Sequence, residues 1–184
     1  ENMIWTDSSL WVMRYTGNPN TVYDVIEIGK ECGLIGPNAA AQIGGVWYWM
    51  TPTGAIMRYA GSSPELVPST LARDTKDNLA FVQQDKVYAH SRVGKNYAEV
   101  WWRYPDIRDG NEVSRYILYN ILEGTWSCGT WDRSACAEAI IFEYPITVDT
   151  SGGIWFEEKG FTHDGGARSW RLRSLRCRIP LPPN

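Results

Sequence analysis

Side chains that could do chemistry are few and widely spaced in this chain. It has two histidines, His90 and His163, and neither stands at a spacing typical of metal ligands. His90 falls in a strand-like run, where we expect a structural histidine. The four cysteines form no C-x-x-C pair, so neither a zinc ribbon nor a redox motif is indicated. We expect buried, reduced thiols or a Cys128–Cys136 disulfide; the full set is Cys32, Cys128, Cys136 and Cys177.

The acidic pairs do not suggest acid–base catalysis. Glu157 and Glu158 are adjacent, and neighbouring residues of a strand point to opposite faces. For this pair and for Asp106 and Asp109 we expect solvated surface. The sequence also has no G-x-S-x-G elbow, Walker loop or dinucleotide fingerprint. It therefore predicts a protein that is not an enzyme, with no cofactor and no metal.

The strongest pattern is a repeat with an offset of 44 residues. Trp5, Met13, Arg14, Tyr15 and Gly17 recur as Trp49, Met57, Arg58, Tyr59 and Gly61. In each copy an aromatic strand meets a polar turn, and a second strand ends in Arg-Tyr-x-Gly. This period with strand–turn–strand content is typical of a β-propeller blade. Helical solenoids have a similar period, but these segments are rich in β-forming residues. The two matching copies could also have arisen by chance or by duplication of a simple hairpin.

Composition and further units favour an all-β fold. Ten Trp and ten Tyr favour strands. Val46–Met50 is apolar on both faces, so it needs cover on both sides, as a blade between two blades has. Only Arg133–Phe142 could form a short helix. We predict a β-propeller-like repeat of about four four-stranded blades. Four blades make either a propeller of the smallest size or part of a larger one. The units lie near residues 1–43, 44–86, 87–134 and 135–163.

One local motif, T-V-D-T-S-G-G-I-W from Thr147 to Trp155, resembles the Asp-box of sialidase-type propellers. That pattern is S/T-x-D-x-G-x-x-W, and here one extra residue separates Asp149 from Trp155. The motif is a turn device: its carboxylate caps backbone N–H groups, a glycine takes a positive φ and the tryptophan is buried between blades. It therefore indicates a fold and no catalysis.

Residues 164–184 differ in character from the repeat domain at 1–163. Five arginines and no acidic residue occur from position 168 onward, which leaves a net charge of −8 on residues 1–167 against −3 for the chain. A charged edge strand that resists sheet-to-sheet pairing is one interpretation. Contact with phosphate, nucleic acid included, or with an acidic partner is another, and a disordered end is the third. The arginines are Arg168, Arg171, Arg173, Arg176 and Arg178.

Several longer strings resemble a family of large structural proteins of tailed bacteriophages. They are I-W-T-D-S-S-L-W-V-M-R-Y-T-G (4–17), C-G-L-I-G-P-N-A-A (32–40), V-W-Y-W-M-T-P-T-G (46–54), V-W-W-R-Y-P (100–105) and R-Y-I-L-Y-N-I-L-E-G-T-W-S (115–127). The resemblance spans about residues 4–163 and rests on packing motifs. It implies propeller-like modules at the tail or the head–tail junction, in the virion and, during assembly, in the host cytoplasm. Since the family's members are much longer, we expect a piece of a larger protein or a chain that oligomerises.

The resemblance implies a non-enzymatic virion component that works by rigid assembly with other virion proteins and with copies of itself. The alternatives are a carbohydrate-binding propeller or glycosidase-like module for host-surface recognition, and a general protein-interaction propeller. No segment approaches the ~18–20 apolar residues of a membrane span. Candidate contact loops are Asn18-Pro19-Asn20, Ser62-Ser63-Pro64, Asp106–Asn111 and His163–Gly166.

Overall fold

The predicted all-β class is confirmed in the computed structural model. Strands make up 52% of it and helices 8%, with four antiparallel sheets of three or four strands. The structure describes residues 1–137, 143–157, 159–160, 162–163 and 166–167.

The first two sheets occupy the N-terminal third of the chain. The first sheet has the order β1-β2-β3, with β1 at Asn2–Trp5, β2 at Ser9–Asn18 and β3 at Thr21–Lys30. The second has the order β4-β5-β6-β7, with β4 at Ala40–Ile43, β5 at Val46–Met50, β6 at Ile56–Tyr59 and β7 at Glu65–Leu66. Both are antiparallel meanders of consecutive strands.

The other sheets follow two short helical segments, α1 at Ala72–Asn78 and a 3₁₀ helix at Phe81–Lys86. The third sheet comprises β8 at Tyr88–Val93, β9 at Ala98–Pro105, β10 at Val113–Asn120 and β11 at Thr125–Thr130. The fourth comprises β12 at Ala135–Ala137, β13 at Ile146–Val148 and β14 at Ile154–Phe156. A two-stranded hairpin joins β15 at Thr162–His163 and β16 at Gly166–Ala167.

Two sequence-based boundaries are wrong in detail. Strand Ala40–Ile43 pairs with Val46–Met50, so the second unit begins at about residue 40, earlier than the predicted boundary near residue 44. Ala135–Ala137 is a strand in the one segment whose sequence could also have formed a short helix, and residues 138–142 of that segment lie outside the described residues. The helix lies instead at Ala72–Asn78 in a polar stretch, where Thr75 is its buried residue. Its short length and lack of an apolar stripe hide it from a search by periodicity.

Strand β5 is covered on both faces, as its apolar sequence predicts. Trp49 is fully buried between the first and second sheets, and its Nε1 donates a hydrogen bond to the Cys32 carbonyl at 2.8 Å. Trp5 of β1 meets this cluster edge-on, 5.3 Å from Trp47 and 5.9 Å from Trp49 between ring centroids. Aromatic pairs prefer such T-shaped contacts. The first two sheets are therefore joined by a tryptophan cluster.

The opposite face of β5 packs on the third sheet. Tyr48 and Met50 share a buried cluster with Trp102, Tyr104 and Ile117. At one end of this interface the chain before β4 runs parallel to the start of β8, because the Ala89 N–H donates to the Asn38 carbonyl at 2.7 Å. The first three sheets thus form a stack in chain order.

Replacing Trp49 tests this stack. Trp49→Ala removes a fully buried side chain and its hydrogen bond, and we expect a loss of about 3–5 kcal/mol in the free energy of unfolding. Trp5→Ala should cost less, because Trp5 is half-buried. Urea unfolding measures both, with Trp11→Ala on the opposite face of the first sheet as the control. A Trp49→Ala midpoint no lower than that of Trp11→Ala would contradict the packing.

Candidate functional site

The repeated residues lie in two hairpins that differ in register. Trp5 of β1 stands opposite Leu10, whereas Trp49 of β5 stands opposite Met57. The turn between β1 and β2 spans residues 6–8 and the turn between β5 and β6 spans 51–55. Since turn length fixes the register of a hairpin, the same sequence spacing gives different pairings.

The register difference places the repeated tyrosines in different surroundings. Tyr15 is 72% exposed beyond the end of β1, whereas Tyr59 is 2% exposed in the core between the first two sheets. The two copies also contact each other, because Arg14 Nη2 donates to the Tyr59 hydroxyl at 3.2 Å. Arg58 instead holds Glu65 through Nε and Nη2, at 2.9 and 2.7 Å.

The remaining repeat positions have structural surroundings. Met57 packs against the core between the first two sheets, while Met13 lies half-buried on the far side of β2. Gly17 and Gly61 both take a positive φ, at +74° and +99°, with open space around them. Glycine adopts this left-handed conformation without the steric cost that a Cβ would add. The structure therefore places the repeat residues in strands, cores and turns.

Asp149 closes the hairpin between β13 and β14. Its Oδ1 accepts hydrogen bonds from the backbone N–H groups of Ser151 and Gly153, at 2.9 and 2.8 Å. Its Oδ2 accepts from Trp155 Nε1 at 2.6 Å, and Gly152 takes a φ of +89°. The hydroxyl of Ser151 and the indole N–H of Trp155 hold the pKa of Asp149 well below its usual range. This carboxylate is an internal brace of the turn.

A cationic and aromatic cluster lies on the face of the third sheet that is turned away from the second. Arg103 is 3% exposed, and its guanidinium lies 4.7 Å from the ring centroid of Trp131, 5.7 Å from Trp101 and 5.9 Å from Tyr88. Within the described part of the chain, its Nε and Nη1 have no hydrogen-bond acceptor. Burial lowers the pKa of Arg103. The aromatic faces are what stabilise this charge.

His90 and Asp106 are both buried, and both are structural. Burial, followed by the nearby charges of Arg103 and Arg92, lowers the pKa of His90 to about 3, so its imidazole is neutral near pH 7. The Asp106 carboxylate is fully buried and lies 2.6 Å from Arg108 Nη2 and 3.4 Å from Arg115 Nε. The expectation of a solvated Asp106 is wrong, because these two arginines compensate its desolvation.

Two other chemical candidates are also accounted for. Glu157 is half-buried and accepts hydrogen bonds from Arg133 Nε at 3.0 Å and Thr147 Oγ1 at 2.6 Å, so it too is not solvated surface. Cys128 is exposed and is not joined to Cys136, so the disulfide alternative is wrong. Across the described ranges no group of three or more His, Cys, Asp or Glu side chains gathers in a metal-binding arrangement.

A cleft of about 620 Å³ lies where the first strands of the second, third and fourth sheets approach one another. Several of its polar lining groups already have partners. Lys86 Nζ lies 2.7 Å from Glu112, and the Tyr88 hydroxyl donates to the Arg133 carbonyl at 3.2 Å. Burial raises the pKa of Tyr88. The cleft is therefore built by structural contacts.

The first sheet leaves an apolar outer face uncovered. Leu10 and Val12 of β2 point into the core, so strand alternation puts Trp11, Met13 and Tyr15 on the opposite side. Cross-strand partners share a face. The outer face therefore carries Ile4, Trp11, Met13, Tyr15, Tyr23 and Val25, together with the polar Asn2 and Glu27 opposite Met13 and Trp11; Tyr15, Tyr23 and Val25 are 72%, 55% and 48% exposed.

Among the described residues, the fourth sheet also has an exposed, largely apolar face, on which Lys159 Nζ lies 5.2 Å from the ring centroid of Phe156. Thr147 of β13 is fully buried, and it shares the inner side of the sheet with its cross-strand partners Cys136 and Trp155. The opposite rows carry Ala135, Val148 and Ile154, and Ala137, Ile146 and Phe156. Ile154 is 73% exposed and Phe156 is 51% exposed. These outer faces lie at the two ends of the stack, and neither was singled out in the sequence.

The predicted contact loops are only partly exposed. Asn18-Pro19-Asn20 and Ser62-Ser63 lie at the surface, whereas Asp106 is buried at the start of its loop. Of the loop at 163–166, residues 164 and 165 lie outside the described residues, as do Arg168 to Arg178.

No protein-family model and no curated protein matches the chain. Among the helices that the structure describes, none is long and apolar enough to cross a membrane.

The Asp149 brace predicts a pH-dependent difference in stability. Asp149→Asn should lower the free energy of unfolding near pH 7, because the variant loses the charged acceptor for Ser151 and Trp155. A lowered pKa stabilises the fold above the ordinary Asp pKa of about 4 and ceases to do so as pH falls through the lowered pKa. The gap to wild type should therefore narrow in acid. Urea unfolding over a range of pH measures this difference, with Asp7→Asn at an exposed position as the control. A difference in the free energy of unfolding between wild type and Asp149→Asn that stays constant with pH would contradict the prediction.

The cationic and aromatic cluster around Arg103 leads to a separate prediction about stability. Arg103→Met keeps the volume and removes a buried charge whose Nε and Nη1 have no acceptor among the described residues, so stability should stay within ~1 kcal/mol of wild type or rise. Arg103→Ala should lower stability by leaving a cavity. Thermal unfolding of both variants measures this. A loss of several kcal/mol for Arg103→Met would show that the guanidinium holds an anion.

Proposed function

We propose that this chain is a non-enzymatic structural module of a phage particle, at the tail or head–tail junction, that works by rigid assembly with neighbouring subunits. The observation that carries the proposal is the pair of uncovered apolar faces at the two ends of the sheet stack. Large exposed apolar patches mark interaction sites in soluble proteins. The phage context comes from the sequence resemblance.

The sheet arrangement supports a propeller-like organisation. All four sheets are meanders, and the first strands of the second, third and fourth sheets line one cleft. Propeller blades are such meanders, arranged around a central channel. In the 44-residue repeat β1 corresponds to β5, so the first sheet lacks a counterpart of β4. We propose that the stack is part of a larger propeller, completed by further sheets.

The state of the polar groups supports a structural role. Asp106, Asp149 and Glu157 are each held by arginines or by hydrogen bonds of a turn. General acid–base catalysis needs a carboxyl group that can reach a substrate proton. These carboxylates are instead committed to internal contacts.

A carbohydrate-binding function is the second candidate, and one observation favours it. Tyr15 and Tyr23 form an exposed edge-on pair at the tip of the β2–β3 hairpin, with ring centroids 6.0 Å apart, next to Asn18 and Asn20. Exposed aromatic rings near amides suit sugar binding. Tyr97, which lies near a turn, is half-buried, and the Arg92 guanidinium lies 5.7 Å from its ring centroid.

The phage assignment is tested by the genes beside the one that encodes this chain. Portal, capsid and terminase genes alongside are the expected result. A neighbourhood of metabolic genes without virion genes would overturn the assignment.

Titration with bacterial surface polysaccharides separates the two functions. We expect no saturable change in tryptophan fluorescence below ~1 mM, a range that specific sugar sites reach. Saturable binding that is lost in Tyr15→Ser and Tyr23→Ser, and retained in the control Tyr97→Ser, would replace the assembly function with glycan recognition.

A further inference from the structure

We propose that the chain associates head to tail with a second copy of itself, the outer face of the fourth sheet in one copy covering the outer face of the first sheet in the other. This inference rests on the proposed assembly function and names its partner and its surfaces. The first-sheet face is the outer face that contains Tyr23 and Val25. The fourth-sheet face is the outer face that contains Ile154 and Phe156.

The direction of stacking selects these two faces as partners. The second sheet uses one face against the first sheet and the other against the third, as Trp49 and Met50 of β5 show. The first sheet lacks a preceding sheet and the fourth lacks a following one among the described residues. In a head-to-tail contact, the fourth sheet of one copy takes the place of the preceding sheet, and the first sheet of the other copy takes the place of the following sheet. The contact therefore continues the existing stack.

The side-chain chemistry of the two faces is compatible. The first-sheet face carries aromatic rings, Trp11, Tyr15 and Tyr23, and the fourth-sheet face carries aliphatic side chains with Phe156. Interface cores are enriched in such aromatic residues and depleted of charge. The contact would resemble the interface of the first two sheets, where Trp5 and Trp49 meet Leu10 and Val12.

Charge favours the same orientation. Residues 1–31 carry five acidic and two basic residues, a net charge of −3, whereas residues 168–184, which follow the fourth sheet in the chain, carry five arginines and no acid. Opposite net charges on these two segments of the sequence favour contact between them and disfavour contact of like with like. A contact between two first-sheet faces would instead bring two acidic ends together.

Head-to-tail contacts are heterologous, so they close into a ring or extend into a filament. Two copies of four sheets would make eight, within the usual range of four to eight propeller blades. A closed dimer is therefore the expected product.

Matched single substitutions test the two faces. Val25→Asp charges the first-sheet face, and Ile154→Asp charges the fourth-sheet face. Val82→Asp is the control, because Val82 is 91% exposed on the 3₁₀ helix, away from both faces. Sedimentation velocity of the full chain over a concentration series should show a wild-type dimer. We expect each face variant to weaken association about tenfold or more, and the control to leave it unchanged. Circular dichroism checks that all variants remain folded.

Mixing the variants tests the head-to-tail orientation. A Val25→Asp chain keeps an intact fourth-sheet face and an Ile154→Asp chain keeps an intact first-sheet face, so an equimolar mixture should regain one contact and sediment as a heterodimer. Like-with-like pairing of first-sheet faces would leave Ile154→Asp dimeric and the mixture without rescue, which would overturn the proposal.

The remaining outcomes are also decisive. A wild-type chain that is monomeric at every concentration, or an oligomer that neither face variant weakens, would overturn the head-to-tail contact. The phage assignment would stand or fall separately, on the neighbouring genes.

Discussion

A sheet that is apolar on both faces is stable in water only when both faces are covered, and the organisation of this chain follows from that constraint. Strand β5 sets it, because its tryptophans point to the first sheet while Tyr48 and Met50 point to the third. Burial of apolar surface is the dominant favourable term in folding. Here it joins successive meanders into a stack, and it leaves the two ends of the stack with apolar faces that a neighbour can cover.

The contact between the third and fourth sheets is of a different kind. Across it the Tyr88 hydroxyl of β8 donates to the Arg133 carbonyl at 3.2 Å. On the third-sheet side Arg103 lies over the Trp131 ring, and on the fourth-sheet side Arg133 lies over the Trp155 ring and pairs with Glu157 at 3.0 Å. Such contacts depend on orientation more than aliphatic packing does, because ring faces and hydrogen bonds have preferred geometries. Together with the Asp149 brace they fix the position of a small three-stranded sheet whose own apolar core is slight. Rigid placement of that sheet is what presents the face around Ile154 to a partner.

The sequence predicted what depends on local pattern and missed what depends on pairing. The 44-residue repeat identified two hairpins and their strand order, and Val46–Met50 correctly indicated cover on both faces. The repeat did not predict that Tyr15 is exposed while Tyr59 is buried. The turn between β1 and β2 is shorter than the turn between β5 and β6, and this difference shifts the register of the first hairpin. The outer face of the first sheet carried an available signal: residues 21–28, T-V-Y-D-V-I-E-I, are apolar on both faces. The buried state of Asp106 had no local signal, since its arginine partners are positioned by the fold.

The central claim is that the two end faces of the stack become covered together when copies associate. Hydroxyl-radical footprinting with mass spectrometry measures it directly, by following the labelling of Tyr23 and Phe156 as the protein concentration rises. Leu122, which is 64% exposed on the β10–β11 turn, serves as the internal reference. The account predicts that labelling of Tyr23 and Phe156 falls in parallel over one concentration range while Leu122 stays reactive. Labelling of both residues that stays constant at every concentration would contradict it.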